Sequence, residues 1–232
     1  MILRSAAILA GGDGRRLGGA VKELLDIEGE PAGPRLARIL RERFDTVIVV
    51  TKNPGLYSGS VTTSDIEPGF GPLSGLHAAL SACADDWLWL AACDMPAFDA
   101  RLVKLFLSRL GGLGDPGRAA GESPPIACVA RFGAHFEPFQ ALYSRRLLPR
   151  LEGLFGTARK AGPDAPDSVL RPSFKELFAG QDVEFVPEAV VRTIDPGWSL
   201  FFNINTPEDL ERLEAPAKRD FRCRGPSDRE FN

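Results

Sequence analysis

Apolar runs of strand length alternate with helical patterns along most of the chain. Apolar runs of strand length occur at 2–9, 46–51 and 87–91, and the run at 46–51 is continuously apolar, as is typical of a buried strand in a parallel sheet. Apolar residues at helical spacing follow at 35–43, at about 73–83 and at 99–110. This alternation predicts βαβ units, and 232 residues that are 44% hydrophobic suffice for one sizeable core. We therefore expect a single α/β domain with a mostly parallel sheet.

The rest of the chain is less regular. Further strands are predicted at 60–64, 126–131, 135–143, 183–186 and 200–203, with helices at about 145–151 and 173–178. Pro138 breaks the strand at 135–143, which therefore belongs at a sheet edge or a bulge. Thr206 is a predicted N-cap of a last helix, with Pro207 at N1 and Asp209 at N3. We place the domain at 1–214 and expect the tail at 215–232 to be disordered, because it has little to bury.

A glycine-rich stretch, LAGGDGRRLGGAVK at 9–22, follows the first predicted strand. It would lie at the carboxyl end of that strand, where open α/β sheets bind their ligands. Its glycines, among them Gly11 and Gly12, allow backbone N–H groups to converge on an anion. Its basic residues, among them Arg16 and Lys22, would offset negative charge. The stretch therefore predicts a polyphosphate loop, although a glycine-rich turn with solvated arginines gives the same pattern.

Two better-known phosphate loops do not fit this stretch. The P-loop pattern requires Ser or Thr after its lysine, and Lys22 is followed by Glu23. The dinucleotide fingerprint GxGxxG requires closer spacing than Gly12, Gly14 and Gly18 provide. The loop is therefore of another nucleotide-binding type.

Asp94 follows the predicted strand at 87–91, so its carboxylate would lie at the same sheet edge as the glycine-rich loop. An aspartate at a strand end is also a common turn residue or N-cap. A carboxylate facing a polyphosphate is repulsive unless a cation lies between them, and Mg²⁺ binds this combination of ligands. Asn203 and Asn205 alternate along an extended segment, so both amides could face the same ligand.

Composition argues against several other classes of protein, namely those that bind nucleic acid or zinc, are rich in disulfides or span a membrane. A net charge of −3 argues against nucleic acid as a main partner. The four cysteines form no CxxC pair and there are only two histidines, so neither a zinc site nor a disulfide framework is indicated. The chain shows no signal peptide and no apolar span of membrane length. We therefore expect a cytoplasmic enzyme with no membrane partner.

Four motifs together resemble the nucleotidyltransferase superfamily, and more narrowly the molybdenum cofactor guanylyltransferases. They are LAGGDGRRLGGAVK at 9–22, Asp65 with GPLSGL at 71–76, CDMP at 93–96 and FNINTPEDL at 202–210. The resemblance implies a Rossmann-like, three-layer α/β/α fold with an antiparallel edge strand, as in nucleotide-diphospho-sugar transferases. It also implies transfer of GMP from GTP to the terminal phosphate of molybdopterin, with Mg²⁺ and release of pyrophosphate. Transient contact with other proteins of the cofactor pathway is a further implication.

The resemblance also assigns roles to individual residues. It implies that the nucleotide contacts Leu9, Ala10, Gly11, Gly12, Lys22, Asn53, Asp65, Gly71 and Asp94. Arg16, Lys22 and Asp94 would be catalytic, with Asp94 also on the metal, and Asn203 and Asn205 would lie near the acceptor.

Three alternatives stay open at the level of sequence. The chain could be the cytidylyltransferase of the same pathway, a sugar-1-phosphate nucleotidyltransferase or a nucleotide-binding adaptor. The spacing from Arg16 to Lys22 favours the guanylyl enzyme. The loops at 111–125 and 156–172, which look expanded, and the tail leave the acceptor less defined than the fold.

Overall fold

The structure is a computed structural model that describes residues 3–10, 21–110, 125–162 and 165–214. Its strands are β1 Ser5–Leu9, β2 Asp26–Ile27, β3 Glu30–Pro31, β4 Thr46–Val50, β5 Val61–Thr63, β6 Trp87–Ala92, β7 Ala127–Phe132, β8 His135–Ser144 and β9 Val183–Pro187. Seven of them form one sheet in the order β5-β4-β1-β6-β8-β7-β9, and β2 pairs with β3 in a small ribbon.

Helices cover both faces of the large sheet. They are α1 Ala32–Arg41, α2 Pro72–Ala82, α3 Ala100–Leu110, α4 Leu148–Lys160, α5 Asp167–Leu170, α6 Phe174–Phe178, α7 Glu188–Val191 and α8 Pro207–Glu214. Short 3-10 helices occur at Lys22–Leu24, Pro54–Leu56, Arg145–Leu147 and Ser199–Phe201. Among the helices described, none combines the length and the apolar character needed to cross a bilayer.

The core consists of one apolar layer on each face of the sheet. On one face, Leu36 of α1 and Phe106 of α3 belong to a cluster with Trp89 of β6. On the other face, Leu76 of α2 and Phe155 of α4 belong to a second cluster. Because side chains alternate along a strand, each central strand contributes to both layers. The predicted three-layer α/β/α fold is confirmed.

The sheet is mostly parallel. β1 pairs in parallel with β4 and β6, and β7 pairs in parallel with β9, whereas β8 runs antiparallel to β6 and β7. The carboxyl ends of β1, β4 and β6 therefore share one edge, as the sequence predicted.

The antiparallel strand differs in position from the prediction, because β8 lies inside the sheet and β5 and β9 form its edges. β8 pairs with β6 on one side and with β7 on the other, so it is not an edge strand. Pro138 is accommodated in an irregularity, because Cys128 pairs with Leu142 whereas Ala130 already pairs with Glu137. The predicted bulge is thus confirmed.

Two predictions from the second half are corrected. The strand expected at 200–203 is wrong, because Ser199–Phe201 forms a 3-10 helix. Asp195 stabilises this turn, since its carboxylate accepts hydrogen bonds from the Ser199 hydroxyl (2.9 Å) and the Leu200 N–H (2.8 Å). The helix expected at 145–151 continues to Lys160, so the 156–172 stretch begins with the last turn of α4 and also contains α5.

Two further predictions lie outside the described residues. They are the flexible loop at 111–125, of which only Pro125 is described, and the tail at 215–232.

Candidate active site

Lys22, Asp94 and Asn205 meet at the carboxyl edge of the sheet. The Lys22 Nζ lies 2.6 Å from Asp94 Oδ2 and donates a second hydrogen bond of 2.9 Å to Asn205 Oδ1. The side chains of Lys22 and Asp94 are 19% and 18% exposed, so the ion pair is shielded but open to a ligand. We call these three residues the lysine site. The structure thus brings together three residues that the sequence placed in one crevice.

Asp94 is held by hydrogen bonds of the backbone around it. It follows β6, and the N–H of the preceding Cys93 donates to the Leu9 carbonyl of β1 (3.1 Å). The Asp94 carbonyl accepts from the Ile204 N–H (2.8 Å). The carboxylate is therefore fixed relative to β1 and to the segment that carries Asn205.

Asn205 lies between an apolar anchor and the start of α8. Ile204, fully buried, packs with Phe202, Ile27 and Ala32 in a small third cluster. The N–H groups of Asn205 and Thr206 donate to the Asp209 carboxylate (3.0 Å each), and the Asp209 N–H donates to the Thr206 hydroxyl (3.3 Å). The predicted cap of the last helix is confirmed, and it fixes the backbone of Asn205.

Asn203 does not join this cluster. It is half-buried, and its side chain makes no hydrogen bond among the described residues. Asn205 therefore lies at the lysine site whereas Asn203 does not, and the acceptor roles of both residues stay predictions.

Beside Lys22 lies a buried carboxylate that no sequence pattern indicated. Glu23 is 1% exposed and accepts hydrogen bonds from the Thr51 hydroxyl (2.9 Å), the Asn53 amide (2.5 Å) and the Tyr57 hydroxyl. We call these four residues the Glu23 network. A Cβ atom at Gly33 of α1 would collide with the Tyr57 hydroxyl and the Glu23 side chain, so the network requires a glycine there. Its only sequence signal is a glutamate directly after the loop lysine, together with polar residues after β4.

The Glu23 network bears on the predicted role of Asn53. Its amide nitrogen donates to Glu23, which leaves the amide oxygen for another partner. Burial raises the pKa of Tyr57 far above its ordinary value, and the hydrogen bond to Glu23 raises it further. Tyr57 therefore remains a neutral donor to the Glu23 carboxylate.

The predicted nucleotide loop begins in the described structure and continues outside it. Leu9 ends β1, and the N–H of the buried Ala10 donates to the Val50 carbonyl (2.9 Å). The Leu9 side chain lies against α2, where a Cβ atom at Gly75 would come within 2.8 Å of it. Gly11, Gly12 and Arg16 lie outside the described residues, so their roles stay predictions.

Asp65 and Gly71 lie in the exposed connection between β5 and α2. Gly71 has a φ of +56° directly before α2, a conformation that favours glycine. The eleven-residue helix that follows directs the positive end of its dipole toward this loop, as at anion sites. Desolvation raises the pKa of the Asp65 carboxyl, and the positive charge of Lys52 partly opposes this.

The residues of the lysine site are compatible with a bound cation. A carboxylate oxygen of Asp94 and the amide oxygen of Asn205 already converge on the Lys22 ammonium group. Both are hard oxygen ligands of the kind Mg²⁺ binds, usually with one or two carboxylates plus phosphate oxygens and water. In the described part of the chain, no group of three or more His, Cys, Asp or Glu could hold a metal by itself.

Cys93, next to Asp94, is not a nucleophile. It is buried, and this burial raises the pKa of its thiol well above the ordinary value, with the Asp94 charge adding to the effect. The thiol therefore stays protonated.

A mostly parallel sheet that gathers a lysine, an aspartate and an asparagine at its carboxyl edge is the arrangement expected of a nucleotide-binding α/β enzyme. The family model described as the MobA-like NTP transferase domain matches residues 6–188, and the chain belongs to that family. It is therefore a transferase, which argues against the adaptor alternative.

Curated and solved relatives agree with this assignment. The molybdenum cofactor guanylyltransferase of Syntrophotalea carbinolica is 32% identical over 210 residues, which cover 90% of this chain and 89% of that protein. A solved structure titled molybdopterin-guanine dinucleotide biosynthesis protein A, from Archaeoglobus fulgidus, superposes with a TM-score of 0.69 at 23% identity, covering 90% of this chain and 96% of that one.

The same fold also occurs in enzymes that use another nucleotide. The 2-C-methyl-D-erythritol 4-phosphate cytidylyltransferase of Thermus thermophilus superposes with a TM-score of 0.57 at 19% identity, covering 92% of this chain and 98% of that one. The fold therefore does not distinguish a guanylyl from a cytidylyl enzyme.

Proposed function

We propose that this enzyme transfers GMP from GTP to the terminal phosphate of molybdopterin and releases pyrophosphate. The observation that carries the proposal is the meeting of Lys22, Asp94 and Asn205 at the carboxyl edge of the sheet. Open α/β sheets bind nucleotides at this edge. The guanylyltransferase names of relatives that match nine-tenths of the chain support the choice of substrates.

The nucleotide would lie over β1, β4 and the start of α2. Its phosphates would contact the loop after β1, and its guanosine the region around Asn53 and Asp65. The proposed contacts are Leu9, Ala10, Gly11, Gly12, Lys22, Asn53, Asp65, Gly71 and Asp94. Arg16 and Lys22 would stabilise the charge on the departing pyrophosphate.

Asp94 would hold Mg²⁺ together with the substrate phosphates. When bound, the ion supplies charge neutralisation at the reacting phosphates. Lys22 already binds the carboxylate and can exchange it for a phosphate oxygen, since both are anionic acceptors. Asn205 would then be free for the acceptor, with Asn203 on the same segment.

The reaction needs no nucleophile from the protein. The acceptor phosphate attacks the α-phosphorus of GTP, and the bond to the pyrophosphate oxygen breaks. The protein contributes positioning and charge stabilisation.

Pyrophosphate release from GTP and from CTP, each with Mg²⁺ and molybdopterin, tests the substrates. We expect release with GTP alone. Release with CTP alone would replace the guanylyl with the cytidylyl assignment, and release only with a sugar 1-phosphate as acceptor would reject molybdopterin.

Two aspartates at opposite ends of β6 provide a matched pair of variants for the same assay. Asp94 follows β6 at the carboxyl edge, and the exposed Asp86 precedes it at the other edge. We expect Asp94→Ala to lower turnover by about two or more orders of magnitude, as loss of a charge-stabilising group commonly does. Asp86→Ala should retain turnover. Near-normal turnover in a folded Asp94→Ala variant would reject the assignment of Asp94.

A further inference from the structure

Gln140 is a buried amide in β8 that the proposed mechanism does not use. It is 0% exposed, and its backbone has a φ of +52°, in the left-handed region that glycine favours. It lies in the irregular part of β8, between the pairs formed by Glu137 and Leu142. A residue other than glycine is strained in this conformation, and such strain persists only where the surroundings impose it.

The side chain of Gln140 reaches residues 94–97, which we call the Asp94 segment. Its Nε2 donates a 2.8 Å hydrogen bond to the carbonyl of Ala97, three residues after Asp94. Its Oε1 is buried and has no hydrogen-bond partner in the described part of the chain. The buried amide therefore makes a single specific contact, and that contact is with the Asp94 segment.

Three separate elements hold the carbonyls of this segment. The Asp94 carbonyl accepts from the Ile204 N–H (2.8 Å), and the Pro96 carbonyl accepts from the Arg35 guanidinium (3.4 Å). The Ala97 carbonyl accepts from Gln140. The bond from Gln140 is therefore a direct link between β8 and the loop that places the catalytic carboxylate.

We propose that Gln140 is a positioning residue that holds Asp94 in register with Lys22 and Asn205. The left-handed backbone at Gln140 directs its amide from β8 to the Ala97 carbonyl. The hydrogen bond to Ala97 offsets part of the backbone strain at Gln140 and fixes the Asp94 segment. The effect of Gln140 on turnover rests on the proposed function. Its effect on the structure of the loop can be measured without any substrate.

Two substitutions test this proposal. Gln140→Gly removes the amide and relieves the strained φ, whereas Gln140→Asn keeps a residue that tolerates this φ but has a side chain too short to reach Ala97. In both variants, lower backbone strain at position 140 offsets the loss of the hydrogen bond to Ala97. We therefore expect the unfolding midpoint to move by only a few degrees. Gln181→Asn makes the same chemical change at an exposed glutamine and serves as the control.

The first readout is amide hydrogen exchange, which requires no substrate. Loosening of the Asp94 segment should speed exchange at the Ile204 N–H by about tenfold in both Gln140 variants, because this N–H donates to the Asp94 carbonyl. Exchange at Ile48, in the middle of β4, should be unchanged. Unchanged exchange at Ile204 would overturn the proposal whatever the activity.

The second readout is steady-state kinetics with GTP. We expect kcat to fall about tenfold with little change in the KM for GTP, because small displacements of a catalytic group act mainly on turnover. A lower unfolding midpoint with unchanged kcat would indicate a merely structural role and overturn the proposal. Inactivity of the unsubstituted enzyme with every nucleotide would reject the proposed function, and hydrogen exchange would then decide whether Gln140 holds the loop.

Discussion

Two neighbouring residues, Lys22 and Glu23, have opposite environments. Lys22 is about one-fifth exposed and binds a charged carboxylate and an amide across the sheet edge. Glu23 is 1% exposed and accepts hydrogen bonds only from neutral groups among the partners the structure gives it. In a 3-10 helix, successive side chains point about 120° apart. The single turn at Lys22–Leu24 therefore directs the Lys22 side chain to the lysine site and the Glu23 side chain into the interior.

The difference shows how this fold separates catalysis from support. The bonds of the lysine site join groups that a substrate can replace, since a phosphate oxygen can take the place of the Asp94 carboxylate. The bonds that Glu23 accepts from Thr51 and Tyr57 are buried, and loss of Glu23 leaves their hydroxyls unsatisfied. Substitutions at the lysine site should therefore affect activity, and substitutions at Glu23, Thr51 and Tyr57, the buried members of the Glu23 network, should affect stability.

The largest effect is expected at Lys22. Lys22→Ala should lower kcat/KM for GTP by about 100-fold, because it removes a fixed charge that would stabilise pyrophosphate. The unfolding midpoint should fall by no more than a few degrees, because the Asp94 carboxylate left behind is 18% exposed and still reaches water. Lys104→Ala, on the exposed face of α3, is the control. A variant that unfolds at much lower temperature and keeps its turnover would contradict the comparison.

Glu23→Gln should lower stability more than it lowers turnover, the reverse of Lys22→Ala. An amide cannot accept from all three donors, so we expect the free energy of unfolding to fall by about 1–3 kcal/mol. Turnover of the folded variant should fall less than tenfold. Thermal unfolding and kinetics measure the two effects, and Glu42→Gln, at the exposed end of α1, is the control. An unchanged unfolding midpoint would show that the buried network contributes nothing to stability.

The same comparison explains which parts of the site the sequence could predict. Lys22 ends the loop that follows β1, and Asp94 follows β6. Both strands are apolar and parallel, so topology alone places the two residues at one edge of the sheet. The Glu23 network and Gln140 depend on tertiary contacts, since Tyr57 lies 34 positions from Glu23 and Ala97 lies 43 positions from Gln140. No periodic pattern marks such contacts.

The fold shows the same limit at a smaller scale. The central strands were predictable because continuous apolar runs are typical of strands buried on both faces. The strand expected at 200–203 was wrong because a similar short apolar run is compatible with a buried turn. Asp195, five residues before Leu200, determines the outcome by accepting the Leu200 N–H.

The smallest effect is expected at Asp65, which lies in the exposed connection between β5 and α2. Desolvation raises its pKa above the ordinary value, and Lys52 opposes this only in part. The folded protein therefore binds this proton more tightly than the unfolded chain does. The resulting stabilisation is complete below the unfolded pKa of about 4 and is lost as pH rises through the raised folded value.

Asp65→Asn should remove this dependence. We expect the unfolding midpoint to rise by about one degree at pH 7 and to stay unchanged at pH 3, where the carboxyl is protonated in both states. Affinity for GTP should fall in the same variant if the carboxylate contacts guanosine, because the lost hydrogen-bond acceptor is charged. Asp45→Asn, at a highly exposed carboxylate, should change neither quantity. Higher stability with unchanged GTP affinity would exclude Asp65 from the nucleotide site, and lower stability at pH 7 would show that its charge supports the fold rather than function.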